Sequence, residues 1–225
     1  MKKPVSGINV RAILATLLVF GPALLLVFIG TRGCEHNFKE LDDYGAAVPY
    51  SFLDVSGKKR NYKEFENSIV LITTIQESCP DTCSISFWHL DQIIYQHIRK
   101  NKSKKLKQVR LISFVTDGKG NGVKDLKFAH ALLKERVEGY DSSLWILASG
   151  DVKGLYNFKS NGKSLLEKGP KYFGGEYFQE IILLLDKKNH LRMALSGNQE
   201  GMIRRMKEHL ALLQKQYDKG TAEQK

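Results

Sequence analysis

The chain opens with a long apolar segment. Residues 12–30 contain no charged side chain, and a helix of that length spans about 28 Å, close to the hydrocarbon thickness of a bilayer. The segment is longer than the apolar core of a typical cleaved signal peptide. Gly21 and Pro22 interrupt it with a kink that membrane helices tolerate. We therefore predict one transmembrane helix over residues 12–30, preceded by a cytoplasmic amino terminus at residues 1–11.

The charges around this segment predict its orientation. Lys2, Lys3 and Arg11 precede it without an acidic residue, whereas basic and acidic residues are mixed after it. Because positively charged flanks stay in the cytoplasm, we expect the rest of the chain on the outer, periplasmic side of the cytoplasmic membrane, where disulfides persist. Cys34 follows the segment closely, and a lipoprotein signal is an alternative. Arg32 fits such a processing site poorly, because small uncharged residues are expected there.

Beyond a polar tether at residues 31–47, the hydrophobic pattern alternates between strands and helices. Apolar, β-branched runs predict strands at 51–55, 68–75, 109–115 and 145–147, and a hairpin at 181–185 with 190–195. Helical spacing predicts helices after Cys83, over 123–137, from Asp151 to Tyr156, and from about Asn198. This order predicts a three-layer α/β sandwich with a mixed sheet over residues 48–217, followed by a frayed tail at 218–225.

The net charge of +11 does not indicate nucleic-acid binding. Four basic residues lie in residues 1–33, and residues 99–110 hold seven more without an acid. Such a run is typical of a solvated helix end and connector, and the sharper alternatives are contact with anionic lipid or with an acidic partner. It lacks the interleaved aromatic residues of a groove for single-stranded nucleic acid. We therefore expect no nucleic-acid partner.

The candidate chemistry lies in Cys79-Pro-Asp-Thr-Cys83, where a buried strand is followed by a helix. Four residues separate Cys79 from Cys83, so on a helix both sulfurs face the same side, one turn apart. This spacing permits a disulfide, or two thiolates on one Cu(I) ion, and a helix amino terminus stabilises thiolates. A structural disulfide is the alternative, although so short a loop closes little chain entropy. Structural zinc is not expected, because no second Cys/His pair occurs at ligand spacing.

Over residues 48–217 the chain resembles the SCO/SenC family. The resemblance is carried by Phe52-Leu-Asp54, Gly57, Phe65, the strand at 70–75, the cysteine motif, the strand ending at Asp117, Trp145-Ile-Leu147, and the final hairpin and helix. It implies a thioredoxin-like fold on a single membrane anchor. It also implies copper binding and a role in building the copper centre of cytochrome c oxidase, with an oxidase subunit or another thiol protein as client.

One position departs from the family pattern. The resemblance places a histidine, the third copper ligand, just before the first strand of the final hairpin, and Phe178 stands at that position. His190 lies across the hairpin turn, His89 lies about 240° around the helix from Cys83, and His130 lies on a predicted core face, so none is an obvious substitute. Losing one of three ligands weakens the copper interpretation and favours the dithiol one.

The hypothesis is thiol–disulfide exchange, with or without Cu(I) handling, in which Cys79 attacks and Cys83 resolves the mixed disulfide. If the protein is an enzyme, it is a thiol–disulfide oxidoreductase. A thiol peroxidase of the same fold is an alternative, but its reactive cysteine follows a threonine by three residues, where this chain has Gln76 and Pro80. A non-catalytic binding module with a static disulfide is the other alternative.

Overall fold

The structure is a computed structural model that describes residues 10–32, 40–78, 85–101, 108–157, 159–160, 163–164, 166 and 176–222. All three cysteines and residues 102–107 of the basic run lie outside the described residues. The chain forms two compact units, Met1–Lys39 and Glu40–Lys225, and each is described by itself.

The first unit contains helix α1, Val10–Arg32, with Pro22 inside it. Its large apolar side chains are exposed, including Leu18 and Leu26. Among the residues that the structure describes, no helix is both long enough and apolar enough to cross a membrane. The transmembrane segment at residues 12–30 stays a prediction.

The second unit is built on a seven-stranded mixed sheet. Its strands are β1 Ser51–Leu53, β2 Lys59–Asn61, β3 Ile69–Gln76, β4 Val109–Thr116, β5 Trp145–Gly150, β8 Ile181–Leu185 and β9 Leu191–Ser196. Across the sheet they lie in the order β2-β1-β5-β4-β3-β8-β9. The central strands β3, β4 and β5 are parallel, and the outer pairings are antiparallel. The predicted mixed α/β sheet is confirmed. Strand β2 and a separate two-stranded ladder of β6, Lys159–Ser160, and β7, Lys163–Ser164, were not predicted.

Helices follow the strands as the apolar spacing predicts. Helix α2 covers residues 87–100 as three consecutive segments, Phe87–His89, a π-helical Leu90–Tyr95 and Gln96–Lys100. The remaining helices are α3 Lys127–Arg136, α4 Val152–Leu155 and α5 Glu200–Ala222, with 3-10 turns at Tyr62–Phe65 and Tyr177–Glu180. The Asp151 carboxylate caps α4 by accepting from the Gly154 N–H at 3.0 Å. Helix α5 continues past residue 218, where the sequence predicts fraying.

Alternate residues of the buried strands belong to two apolar cores, because successive side chains of a strand point to opposite faces of the sheet. Leu71 and Leu111 belong to the core that contains the buried stripes of α2, α3 and α5. Ile72 and Ile112 belong to the core on the other face, together with residues of α4 and with Phe178. Both faces of the sheet are therefore covered, as expected for strands that are apolar throughout.

The amino-terminal part of the second unit corrects one sequence expectation. Residues 40–47, which we call the strap, were predicted as part of a tether over 31–47. Instead the strap pairs with the β8–β9 hairpin: the Tyr44 N–H donates to the Leu191 carbonyl, and the Leu191 N–H donates to the Gly45 carbonyl, each at 2.9 Å. The folded domain therefore begins at Glu40 rather than at residue 48.

Candidate functional site

The cysteine motif connects the carboxyl end of a central strand to a helix. Strand β3 lies between β4 and β8 and ends at Gln76, the described chain resumes at Ile85, and α2 begins at Phe87. The motif itself lies outside the described residues. The strand before the motif and the helix after it are those that the sequence predicts, and the carboxyl end of a central strand is where open α/β sheets place their chemistry.

Both flanks of this connection are fixed to the domain. Glu77 and Ser78 are exposed, so the chain leaves the interior directly after β3. Ile85 is buried again against Gly197, where an added Cβ would lie 2.8 Å from the isoleucine side chain. The Ser86 N–H donates to the Gly197 carbonyl at 3.1 Å. The described residues on both sides of the motif thus bond to the domain, since the Glu77 N–H also donates to the Thr116 carbonyl at 2.8 Å.

Gln179, which is buried, ties the turn before β8 to this edge. Its carbonyl oxygen accepts from the Thr74 hydroxyl at 2.5 Å. With the side-chain amide oriented to satisfy both of its ends, Nε2 donates to Thr116 Oγ1 at 2.5 Å and to the Asp117 carbonyl at 3.2 Å, while Oε1 accepts from the Glu176 N–H at 3.2 Å. Gln179 therefore joins the turn that carries residue 178 to the end of β3 through its backbone carbonyl and to the end of β4 through its side chain.

Phe178, which stands at the position expected for the third copper ligand, is part of the apolar core. It is 3% exposed, and its ring centroid lies 5.4 Å from that of Tyr156. The ring also closes over Gly120, where an added Cβ would collide with it and where φ is +75°. An aromatic ring offers no lone pair to a metal, so this position supplies packing and no ligand.

The three histidines that the sequence analysis considered as ligands contact other residues of the domain. His89 Nδ1 lies 2.7 Å from Ser86 Oγ, and its Nε2 lies 3.5 Å from Glu200. His190 Nδ1 lies 2.9 Å from Asp43 of the strap, and the His130 ring packs edge-on against a tyrosine. Across the described ranges, no group of three or more His, Cys, Asp and Glu side chains could hold a metal ion. The residues that the structure describes do not complete a three-ligand copper site.

Glu180 is a buried carboxyl group that the sequence analysis did not single out. It is 3% exposed and accepts a hydrogen bond from Asn198 Nδ2 at 2.9 Å. Burial raises the pKa of Glu180 because it disfavours the charged form, and the Asn198 hydrogen bond offsets this in part. Its backbone carbonyl accepts from the Gly197 N–H at 2.5 Å. Gly197 therefore bonds both to the Glu180 backbone and to Ser86, which follows the motif.

Gln76, the last residue of β3, was also not singled out as a site residue. It is 2% exposed, and its Oε1 has no hydrogen-bond partner among the described residues. The available sequence signal for both Gln76 and Glu180 is a polar residue at the end of an apolar strand run. That signal alone does not distinguish a buried group from a solvated strand end.

Comparison with known proteins supports the fold. No protein-family model matches the chain, and no curated protein matches it. Among solved structures, BsSco, a member of the Sco family of cytochrome c oxidase assembly proteins in which a disulfide switch was identified, is 15% identical, with a TM-score of 0.50 over 76% of this chain and 97% of that chain.

Two further solved structures are similar. A SCO1/SenC family lipoprotein from Bacillus anthracis is 18% identical, with a TM-score of 0.49 over 75% of this chain and 96% of that chain. Yeast Sco1 with copper bound is 16% identical, with a TM-score of 0.47 over 74% of this chain and 93% of that chain. The chain thus shares a thioredoxin-like fold with BsSco, and at the level of the fold the resemblance to the SCO/SenC family is confirmed.

Proposed function

We propose that this chain is a Sco-like protein that acts on a protein client in cytochrome c oxidase assembly by thiol–disulfide exchange at Cys79 and Cys83. The observation that carries the proposal is the position of the motif, between the end of a central parallel strand and the start of α2. The fold shared with a Sco-family assembly protein supports the same assignment.

In the exchange, the Cys79 thiolate attacks one sulfur of a client disulfide. A mixed disulfide forms, and the first client thiolate leaves. The Cys83 thiolate then attacks Cys79 Sγ, the internal disulfide forms, and the second client thiolate leaves. The client gains two electrons and the cysteine pair loses two. The reverse sequence oxidises a reduced client.

Serine variants test this proposal. We expect Cys79→Ser and Cys83→Ser to abolish complementation of oxidase assembly in cells that lack the protein. Cys34→Ser is the matched control, because Cys34 lies outside the domain, and it should complement normally unless this cysteine carries a lipid anchor. Full oxidase activity with either motif variant would contradict the proposal.

Copper handling is the narrower form of the proposal. When bound, Cu(I) would be held by the two thiolates alone, since linear two-coordinate Cu(I) needs no third ligand and soft thiolates suit it. The apolar packing of Phe178 supports this restriction. Anaerobic Cu(I) titration against a competing chelator should show binding that either serine variant loses. Equal binding by the double serine variant would exclude the motif as the copper site.

We further propose that the amino-terminal segment anchors the domain on the outer face of the cytoplasmic membrane. The exposed apolar side chains of α1, such as Leu18 and Leu26, support this, because large exposed apolar surfaces mark membrane or protein contacts. After cell fractionation, the full chain should sediment with membranes, and protease added outside spheroplasts should digest the domain. A variant without residues 1–33, carrying a cleavable export signal, should be released. Protection of the domain in intact spheroplasts would contradict the orientation.

A further inference from the structure

A cleft of about 430 Å³ lies between the turn at residues 54–56 and residues 146–147 of β5, and we call it the β1–β5 cleft. The pairing of β1 with β5 ends at Leu53 and Ser149, and the chain then turns away from β5 to form β2. Strand β5 extends back to Trp145, so its first half borders the gap. Small-molecule sites have volumes of about 300–1,000 Å³. The cleft is therefore large enough for a compact ligand.

Part of the lining is apolar and aromatic. Strand β5 contributes Ile146 and Leu147. Tyr140 and His130 contribute two half-buried rings, whose centroids lie 5.8 Å apart. The Tyr140 hydroxyl donates to the Trp145 carbonyl at 3.1 Å, which holds the ring in place. Burial lowers the pKa of His130, and a nearby lysine lowers it further, so the imidazole is neutral at pH 7. This part of the cleft offers contacts to an aliphatic or aromatic group and adds no charge.

The lining also contains one cationic side chain, Arg60. Its Nε donates to Glu64 at 3.0 Å, but neither Nη atom has a hydrogen-bond partner within the described part of the chain. The Arg60 side chain is 23% exposed, so solutes can reach the guanidinium. A guanidinium presents its donors in a planar fork that matches a carboxylate. Arg60 is therefore available to bind a carboxylate in the cleft.

Asp54 supplies the opposite charge in the same cleft. Its Oδ1 accepts from the Ser56 N–H at 2.9 Å, the Ser56 hydroxyl at 2.6 Å and the Lys58 N–H at 3.1 Å. No donor among the described residues bonds to Oδ2. Partial burial raises the pKa of Asp54, but these hydrogen bonds and the charge of Arg60 outweigh it and lower the pKa overall. The carboxylate is thus ionised at neutral pH, and Oδ2 is available to a cation.

The balance of charges restricts the class of ligand. A simple anion would meet Arg60 but would also face the like charge of Asp54, and a simple cation would have the reverse conflict. A zwitterion places a carboxylate beside the guanidinium and an ammonium group beside the carboxylate of the protein, with a charge-assisted contact at each. An α-amino acid carries both groups on one carbon. An apolar side chain on that carbon matches the apolar part of the lining.

We propose that the β1–β5 cleft binds a free α-amino acid with an apolar side chain. The carboxylate of the ligand pairs with Arg60, and its ammonium group pairs with Asp54. The side chain of the ligand packs on Ile146, Leu147 and Tyr140. Because β3, β4 and β5 are parallel, the start of β5 lies at the opposite edge of the sheet from the end of β3. The site is therefore separate from the proposed exchange chemistry.

Isothermal titration calorimetry of the full chain in detergent at pH 7 tests the site with L-leucine and L-phenylalanine. Three analogues of leucine each lack one recognised group: isocaproate lacks the ammonium group, isoamylamine lacks the carboxylate, and glycine lacks the side chain. We expect each analogue to bind about tenfold or more weakly than leucine, because a charge-assisted hydrogen bond or the burial of an apolar group is lost. These comparisons use the wild-type protein, so they do not depend on the folding of a variant.

Arginine variants locate the site. Arg60→Gln should weaken leucine binding about tenfold or more, because the cation is lost, and Arg60→Lys should weaken it less. Arg204→Gln is the matched control, because Arg204 also pairs with a glutamate four residues away but lies on α5, outside the cleft lining. This control should bind leucine as wild type does. Urea unfolding checks that each variant is folded.

Three results would overturn the inference. If neither amino acid gives a saturable heat with the wild-type protein, the cleft is no amino-acid site. If isocaproate or isoamylamine binds as tightly as leucine, the cleft does not recognise a zwitterion. If Arg60→Gln binds leucine as tightly as Arg204→Gln does, the amino acid binds elsewhere on the protein.

Discussion

Phe178 packs in the apolar core at the position where the family resemblance places a copper-ligating histidine. Its ring fills the space between Tyr156 and the loop at Gly120, and the neighbouring Gln179 is held by hydrogen bonds to two strand ends. The backbone at position 178 is therefore fixed independently of the side chain that it carries. A histidine introduced there would be placed without rebuilding the turn.

We predict that Phe178→His costs about 2–4 kcal/mol of unfolding free energy, because it removes apolar contacts and buries a polar ring. The same variant should raise the Cu(I) affinity about tenfold or more over wild type, because an imidazole nitrogen would add a third ligand to the two thiolates. Urea unfolding and chelator competition measure the two effects. Phe178→Leu is the control, since it loses ring contacts but adds no ligand. Equal copper affinity in all three proteins would show that position 178 lies outside the metal site.

The buried carboxyl group of Glu180 should make the unfolding free energy depend on pH. Burial raises its folded-state pKa above the unfolded value of about 4.3, so between these two values the folded state binds more protons than the unfolded state. Stability therefore falls as the pH rises through this window, and the full penalty is present above the folded pKa. We expect Glu180→Gln to unfold at a higher urea concentration than wild type at pH 7, with a smaller difference at pH 4. A difference that grows toward pH 4 would contradict the burial argument.

Among the structural elements, the strap is bound in part by one guanidinium group. Arg192 donates to the carbonyls of Leu41 and Asp42 and forms an ion pair with Asp186 at 3.2 Å. The Asp186 side chain is 4% exposed and that of Arg192 is 16% exposed, so solvent screens this pair little. Breaking such a pair leaves a buried carboxylate without its cation.

We predict that Arg192→Ala lowers the unfolding free energy by about 2–4 kcal/mol, and that Arg192→Lys loses less because the charge is retained. Arg204→Ala is the matched control. Arg204 pairs with Glu200 on the surface of α5, where both side chains are well exposed, and solvent screening leaves such a pair little effect on stability. Equal losses of unfolding free energy for Arg192→Ala and Arg204→Ala in urea titrations would show that the Arg192 contacts stabilise the domain no more than an exposed ion pair does.

Long periodic elements were predictable from the sequence, and short or polar ones were not. The four residues Phe87, Leu90, Ile94 and Ile98 are all buried, as their spacing predicts, because one helix face decides their environment. Strand β2 has three polar residues and no periodic signal. The strap binds through backbone groups and through Arg192, a residue distant in sequence, and hydropathy encodes neither.

The same division applies to the candidate site. Cys79 and Cys83 were predicted from spacing and Phe178 from the resemblance to a family, because both signals are local, and as a site they stay predictions. Gln76 and Glu180 required the structure, since Glu180 is bonded to Asn198 and Gln76 lies beside Gly118 in the loop after β4, and both neighbours are distant in sequence. A polar residue at a strand end becomes informative only when its neighbours are known.

For the whole molecule, the structure predicts where the independently folding part begins. We expect a protein that starts at Glu40 to be about 2–4 kcal/mol more stable than one that starts at residue 48, because the shorter protein loses the buried Leu41 and Ala47 and leaves Arg192 without two of its acceptors. Urea unfolding of the two proteins measures this difference. Identical midpoints would mean that the strap is a tether after all.

The two tryptophans of the chain lie in opposite environments, and this gives the protein two built-in fluorescent reporters. Trp145 is fully buried and donates to Ser113 Oγ at 2.8 Å, so its emission should be blue-shifted, resistant to quenchers and lost on global unfolding. Trp88 is 65% exposed in the first turn of α2, soon after the cysteine motif, and should be open to acrylamide. Trp88→Phe would leave a clean unfolding signal, and the difference from wild type would isolate the signal from the start of α2.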